Sequence, residues 1–441
     1  MSVPTLPRRP ARAVFAVLAA VAVLVPAAIH LSPGGGPGVR SAAAPPAPGA
    51  VAPASSGAWV GTWATAPSAP EPRSWDGYAG MSIRNVVHTS IGGTGVRIHL
   101  SNLYGARPLA FTHVSVAVAA TDGGPAAVPG TLRRLTFAAR TSVTVPAGRT
   151  TVSDPVPLTV PAAADLLVST YSPAPSGPVT YHPHARQTSY LARGEHTLDH
   201  RGTAYTEQSP SWRYLAAVDV RSEEAQGAVA VLGDSITDGV TSTPGANHRW
   251  PDFLAARLRD EPGAPRYGVL NAGISGNRVL TDGNPYRRSN PSGLSRFERD
   301  VLARAGVRAV VIELGINDIL RDPRLATGPE PLLAGLRQLT RQAHARGLRV
   351  TGGTLTPFQG YRRHRPGLEE LRQRVNREIR AGTVFDAVVD FDRALRDPAR
   401  PLRLLPAYDS GDHLHPSDAG YRAMAHALDL DVLAGRAAAA L

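Results

Sequence analysis

The chain has 441 residues, more than a single domain usually holds, and its 43% of hydrophobic residues can build substantial cores. Its formal charge of +12 comes from arginines spread along the sequence, and since no basic run is interleaved with aromatic residues, no nucleic-acid partner is expected. The absence of cysteine excludes disulfides, thiolate catalysis and cysteine-ligated metal.

The N-terminus has the layout of a secretory signal. Three arginines precede an apolar stretch from Ala13 to Val25, and small residues follow. We therefore predict a signal peptide over residues 1–30 and a secreted, extracellular protein. An uncleaved membrane anchor extending through Ile29 stays open as an alternative. Residues 31–57 are rich in Pro, Gly and Ala and are interpreted as a linker.

The next region, residues 58–222, contains short apolar runs that alternate with period two. Val96-Arg97-Ile98-His99-Leu100 is one example and Val114-Ser115-Val116-Ala117-Val118 is another. Gly, Pro and Asn separate these runs. This pattern is typical of antiparallel strands, so we predict an all-β, sandwich-like domain.

From residue 227 to residue 436 the pattern changes to strands that alternate with helices. Helices are predicted from Trp250 to Leu258, Leu332 to Ala345 and Leu368 to Ile379, where apolar residues recur every three or four positions. Five apolar strands are predicted at 228–232, 267–271, 308–314, 348–355 and 386–391. Strands that are each followed by a helix indicate a five-stranded parallel sheet covered on both faces.

Four polar segments follow in this second region, and the first three come directly after predicted strands. The carboxyl ends of parallel strands are where α/β enzymes place their chemistry. Gly-Asp-Ser alone is also ordinary turn composition, so the argument depends on all four segments together. The segments are Gly233-Asp234-Ser235-Ile236-Thr237, Asn271-Ala272-Gly273-Ile274-Ser275-Gly276-Asn277, Gly315-Ile316-Asn317-Asp318 and Asp412-His413-Leu414-His415-Pro416.

Ser, Gly, Asn and His in four ordered blocks resemble the SGNH superfamily of serine hydrolases, also called GDSL esterases and lipases. The resemblance covers roughly residues 227–436. It implies a three-layer α/β/α, flavodoxin-like catalytic domain and a carboxylic ester hydrolase that needs neither a cofactor nor a metal.

The candidate nucleophile is Ser235, whose hydroxyl lies where a strand end meets the next helix. The alternative for this serine is a helix N-cap. His415 would act as the general base, and Asp412, three residues earlier, would hold its tautomer, as the resemblance implies. His413 is interpreted as structural. A zinc site built from Asp409, Asp412, His413 and His415 stays open.

The resemblance also implies three donors to the oxyanion that forms during ester cleavage. They are the backbone N–H of Ser235, the backbone N–H of Gly276 and the side-chain amide of Asn317. As alternatives, Gly276 is a turn glycine with positive φ and Asn317 is a helix cap. Glu313 is unusual inside a buried strand, and the sequence suggests no role for it.

The expected substrates are short-acyl esters, above all O-acetyl esters of carbohydrates, because β-sandwich domains on secreted enzymes often dock polymers. A lipase or lysophospholipase acting on longer acyl chains is the first alternative. A cell-wall-binding protein with an inactive hydrolase domain is the second, and a metal-dependent hydrolase is the third. A cell-wall polymer is a possible partner.

Overall fold

The computed structural model describes residues 58–283 and 289–435. The predicted signal peptide and linker, residues 1–57, lie outside the described residues. All described residues belong to one compact unit. In this part of the chain no helix combines the length and the apolar character needed to cross a membrane.

The first region is built from sixteen strands. They are β1 (Ala58–Ala64), β2 (Ala69–Pro70), β3 (Met81–His88), β4 (Gly93–Ser101), β5 (Leu109–Phe111), β6 (His113–Val118), β7 (Arg133–Arg134), β8 (Val143–Val145), β9 (Thr150–Val152), β10 (Val156–Val160), β11 (Asp165–Ser172), β12 (Thr180–His182), β13 (Ser189–Arg193), β14 (Glu207–Ser209), β15 (Trp212–Arg213) and β16 (Leu215–Ser222).

These strands form two larger antiparallel sheets with a core between them. One sheet has the order β1-β16-β4-β10 with β9 beside β4, and the other has the order β14-β13-β3-β11-β6-β7. Alternation decides which side chains enter the core: Leu166 and Val168 of β11 pack between the sheets, whereas Leu167 packs on the outer face. The predicted all-β region is confirmed. Two small sheets, β15-β12-β2 and β5-β8, complete it.

The second region alternates strands and helices. Its elements are β17 (Gly227–Gly233), α1 (Ser235–Asp238), α2 (Trp250–Asp260), β18 (Tyr267–Gly273), α3 (Gly293–Phe297), a π-helical turn (Glu298–Leu302), β19 (Val307–Glu313), α4 (Ile316–Arg321), a 3₁₀ helix (Pro323–Thr327), α5 (Glu330–His344), β20 (Arg349–Gly353), α6 (Pro366–Arg380), β21 (Ala387–Val389), α7 (Phe391–Leu395), β22 (Arg396–Asp397), β23 (Arg400–Leu404), α8 (Asp418–Ala427) and α9 (Asp431–Ala434).

Strands β17 to β21 form one parallel sheet with the order β18-β17-β19-β20-β21. Ala228 and Ala230 of β17 face the layer that contains α5 and α6, and Val229 and Val231 face the layer that contains α2 and α8. The predicted five-stranded, three-layer fold is confirmed. The three predicted helices correspond to α2, α5 and α6, whereas α8 was not predicted.

The antiparallel region packs directly against the edge of the parallel sheet. Val60 of β1 shares a hydrophobic core with Ala228 of β17 and Leu270 of β18. The backbones approach closely, because a side chain at Gly268 would begin only 2.1 Å from the carbonyl oxygen of Gly61. The two regions therefore share part of their core.

Candidate active site

Ser235 lies in a tight turn between β17 and α1. The side chain of Asp234 caps this short helix by accepting a hydrogen bond from the N–H of Ile236 at 3.0 Å. A side chain at Gly233 would begin 2.1 Å from Oγ1 of Thr237, so the turn requires glycine. Because Asp234 is the N-cap, the hydroxyl of Ser235 is not used for capping and can contact another group.

Three of the predicted residues form a chain of hydrogen bonds. Nε2 of His415 lies 2.8 Å from Oγ of Ser235, and Nδ1 of His415 lies 2.5 Å from the Asp412 carboxylate. Asp412 also accepts the backbone N–H groups of Leu414 and His415. Burial alone would raise the pKa of Asp412, but the hydrogen bonds and charge of His415 hold it well below its usual range. The carboxylate therefore stays ionised and fixes the Nδ1–H tautomer of the imidazole.

The loop that carries His415 is fastened to the loop after α1. The hydroxyl of Thr241 donates to the carbonyl of Pro416 at 2.8 Å, and the hydroxyl of Tyr421 donates to the carbonyl of Val240 at 2.6 Å. Tyr421 belongs to α8 and is fully buried. These contacts hold the histidine loop, 180 residues away in sequence, against the serine turn.

The second histidine of the block forms a separate pair. Nδ1 of His413 lies 2.5 Å from Asp409, and the ring is about half exposed. The four candidate zinc ligands are thus divided into two pairs, Asp409 with His413 and Asp412 with His415. Within the described part of the chain, no group of three or more His, Cys, Asp or Glu side chains is arranged to hold a metal ion.

The second and third blocks lie beside the serine turn. The N–H of Ile274 donates to the carbonyl of Gly233 at 3.1 Å, which fastens the second block to the first. Gly276 adopts φ +74°, a conformation that favours glycine, and its N–H has no hydrogen-bond partner among the described residues. Asn317, 4% exposed, donates one amide N–H to the Asp234 carboxylate at 3.2 Å. Its second N–H is available to a substrate.

A buried arginine, which the sequence interpretation missed, joins the first two blocks. Arg296 is completely buried and donates to the carbonyls of Gly233, the last residue of β17, and Ala272, the last but one of β18. It also donates to the side-chain oxygen of Asn277 and pairs with Asp300. Burial lowers the pKa of Arg296 to about 10, so the guanidinium remains charged at neutral pH.

Three acids beneath the site are buried. Burial raises the pKa of Asp234 to about 6, although hydrogen bonds and the charge of His415 oppose the rise. Burial and the charge of Asp234 raise the pKa of Glu313 well above its usual value, and Thr237 donates to this side chain at 2.9 Å. Burial raises the pKa of Asp318 to about 7, and its side chain accepts the backbone N–H groups of Val279 and Leu280, just after the second block. Their hydrogen bonds support the turns that carry the site.

The sequence of this region matches the model of a known family. Residues 231–423 match the GDSL-like Lipase/Acylhydrolase family. The segment that carries all four blocks belongs to this family. The chain is therefore an ester-cleaving enzyme, and the resemblance noted in the sequence is confirmed. No curated protein matches the chain.

The chain is similar to solved structures over less than half of its length. A catalytic mutant of Axe2, an acetylxylan esterase from Geobacillus stearothermophilus, has 24% identity and a TM-score of 0.35, with 46% of this chain and 92% of that chain covered. A GDSL-like lipase from Bacteroides thetaiotaomicron has 21% identity and a TM-score of 0.33, with 45% and 84% covered. Similarities this low decide nothing about the substrate of the present chain.

Proposed function

We propose that the GDSL-like domain is a serine esterase that cleaves short-acyl esters, above all O-acetyl esters of carbohydrates, through an acyl-Ser235 intermediate. The observation that supports the serine mechanism is the hydrogen-bonded series from Ser235 through His415 to Asp412. A nucleophile, a base and an orienting acid in this arrangement are what acyl transfer requires.

The first step forms a bond between Oγ of Ser235 and the carbonyl carbon of the ester. Nε2 of His415 takes the hydroxyl proton, and the carbonyl π electrons move to the oxygen. Asp412 stabilises the imidazolium through the Nδ1–H hydrogen bond. The N–H groups of Ser235 and Gly276 and the amide of Asn317 would bind the oxyanion, each contributing about 3 kcal/mol to its stabilisation.

The intermediate then collapses and the alcohol leaves. The bond between the carbonyl carbon and the alkoxy oxygen breaks, and His415 returns its proton to that oxygen. In the second half, His415 takes a proton from water, whose oxygen attacks the acyl carbon. The bond between the acyl carbon and Oγ of Ser235 then breaks, His415 returns the proton to Oγ, and the carboxylic acid leaves.

The surroundings of the site support a short acyl group. Arg321 lies one helical turn after Asn317, and its Nη1 is 3.4 Å from the point where a side chain at Gly276 would begin. Burial and the charges of Arg363 and Arg278 lower the pKa of Arg321, so two further guanidinium groups act on Arg321. A long acyl chain gains about 0.8 kcal/mol per buried CH₂ only where apolar side chains cover it. Charged donors instead suit a small acyl group and a hydroxyl-rich alcohol.

Hydrolysis rates on p-nitrophenyl esters from acetyl to palmitoyl test this proposal, with the full chain and its Ser235→Ala variant measured in parallel. We expect the highest kcat/KM on acetyl or propionyl esters and loss of activity in the variant. Acetylated xylan oligosaccharides then serve as O-acetylated carbohydrate substrates, with acetate release as the readout. A long-chain optimum would favour a lipase. Folded protein that binds glycans without Ser235-dependent hydrolysis would favour a binding protein.

The Arg321→Leu variant tests the reason given for the acyl preference. Replacing the guanidinium with an apolar side chain should raise the rate on butyryl and hexanoyl esters relative to acetyl, by several-fold. Arg346→Leu is the matched control, because Arg346 and its partner Glu298 are both exposed. An unchanged acyl profile in Arg321→Leu would contradict the argument from charge.

A further inference from the structure

The peptide that carries the N–H of Gly276 is held from both sides. The N–H of Ser275 donates to Oδ2 of Asp238 at 2.9 Å, and the hydroxyl of Ser275 donates to the same oxygen. The carbonyl of Ser275 accepts a hydrogen bond from Nδ2 of Asn290 at 2.9 Å. In a planar trans peptide the C=O of one residue and the N–H of the next point in opposite directions. Asn290 therefore fixes the direction of the Gly276 N–H.

Asp238 is in turn held by the antiparallel region. Nε2 of His182, at the end of β12, lies 2.9 Å from Oδ1 of Asp238, and both side chains are 3% exposed. Nδ1 of the same ring lies 2.9 Å from the carbonyl of Ala66. Because both ring nitrogens face acceptors, the imidazolium satisfies both contacts. Burial lowers the pKa of His182, but the charge and hydrogen bond of Asp238 more than offset this and raise it.

Asn290 is held by the same small sheet. Its N–H donates to the carbonyl of Ser68 at 2.6 Å, directly before β2, and its side-chain oxygen accepts from Asn277 at 2.6 Å. Strand β2 pairs with β12. The sheet β15-β12-β2 thus holds both partners of Ser275. They are Asn290, which donates to the Ser275 carbonyl, and Asp238, which accepts the Ser275 N–H.

We propose that the sheet β15-β12-β2 orients the oxyanion-binding peptide through two links, His182 to Asp238 and Ser68 to Asn290. His182, Asp238 and Asn290 are then positioning residues that act through Ser275 on the N–H of Gly276. This inference rests on the proposed use of Ser235 and Gly276 in ester cleavage, but it does not depend on the acyl or alcohol preference.

Two variants, each with a matched control, test the proposal in the full chain. His182→Gln removes the imidazolium, and His88→Gln is its control, because His88 forms a comparable pair with buried Asp165 at 2.8 Å. Asn290→Gly removes the amide at a residue with φ 53°, and Asn247→Gly is its control, because Asn247 has the same φ. Glycine adopts this conformation without strain.

The readout is kcat and KM on p-nitrophenyl acetate, with folding checked by circular dichroism and thermal unfolding. Misplacing an oxyanion donor weakens transition-state binding and leaves ground-state binding nearly unchanged, so kcat should fall about 10- to 100-fold while KM changes less than about two-fold. Both controls should keep wild-type kcat. If His182→Gln fails to fold, because it leaves a buried carboxylate without its charged partner, Asn290→Gly still decides the question.

Wild-type kcat in folded Asn290→Gly and His182→Gln would overturn the proposal. Equal losses in the controls would overturn it as well, since the effect would then be general destabilisation. The Ser235→Ala variant tests the proposed function separately. If this variant retains hydrolysis, the serine mechanism is wrong, and this inference loses its basis. A long-chain optimum would change the substrate class and leave the positioning test intact.

Discussion

Replacing Asn317 with alanine removes one proposed oxyanion donor and one internal hydrogen bond. The amide has two N–H groups: one donates to Asp234 at 3.2 Å, and the other is available to the developing oxyanion. Loss of such a donor costs about 10²- to 10³-fold in kcat, or about 3–4 kcal/mol. KM should change little, because the ester carbonyl carries much less charge before the attack than the oxyanion carries after it.

Asp234→Asn separates the two roles of this contact. It keeps the amide of Asn317 but replaces one of the two Asp234 oxygens, each of which accepts one hydrogen bond, with an NH₂ group. With the remaining oxygen on the N–H of Ile236, the amide of Asn317 loses its orienting partner. We expect a smaller loss of kcat, about ten-fold, with p-nitrophenyl acetate as substrate. Near-normal kcat in folded Asn317→Ala, or a rise in KM at unchanged kcat, would remove Asn317 from the oxyanion site.

The remaining predictions concern the triad and the buried acids. Ser235→Ala and His415→Ala should abolish turnover and leave the unfolding temperature nearly unchanged, and residual Ser235→Ala activity above the uncatalysed rate would contradict this. Asp412→Asn should lose up to about 10⁴-fold, because it favours the wrong tautomer of His415. Asp318 has a pKa of about 7 in the folded protein, against about 3.9 in the unfolded chain. As the pH rises, the unfolded state therefore releases this proton first. The free energy of unfolding should fall by up to about 1.4 kcal/mol per pH unit from about pH 4 to 7. Urea unfolding across this range should show a shallower pH dependence in Asp318→Asn, and an identical dependence would refute the assignment.

The fold of the second region was predictable because its signals are local. Each strand of the parallel sheet is an apolar run, and the first three are followed directly by the polar blocks at their carboxyl ends. Parallel pairing places these ends on one edge of the sheet, so the three blocks could be assigned to one site. The choice of Gly276 and Asn317 within the blocks came from the family resemblance. The three-residue spacing of Asp412 and His415 is likewise local.

The supporting contacts could not be predicted because they join residues distant in sequence. Arg296 is the one charged residue of the short helix α3, yet it is completely buried against the ends of two strands. His182 lies in the antiparallel region, 56 residues from its partner Asp238. Glu313, for which the sequence suggested no role, accepts a hydrogen bond from Thr237 within the serine turn. In the sequence, the only signal of such a supporting role is a polar residue at a position where an apolar one is expected.

Under this proposal the antiparallel region bears on stability as well as on the position of the Gly276 N–H. Without it, Asp238 would lose its charged partner inside the protein, and a broken buried pair typically costs about 3–5 kcal/mol. The apolar face of β18 that meets Val60 would also be exposed to water. Since this loss is comparable with the whole stability of many domains, a chain restricted to residues 227–436 should aggregate or unfold at temperatures where the full chain is stable. A soluble fragment with full esterase activity and an unchanged unfolding temperature would show that the antiparallel region is an independent module, and would contradict the positioning of Gly276 from β12.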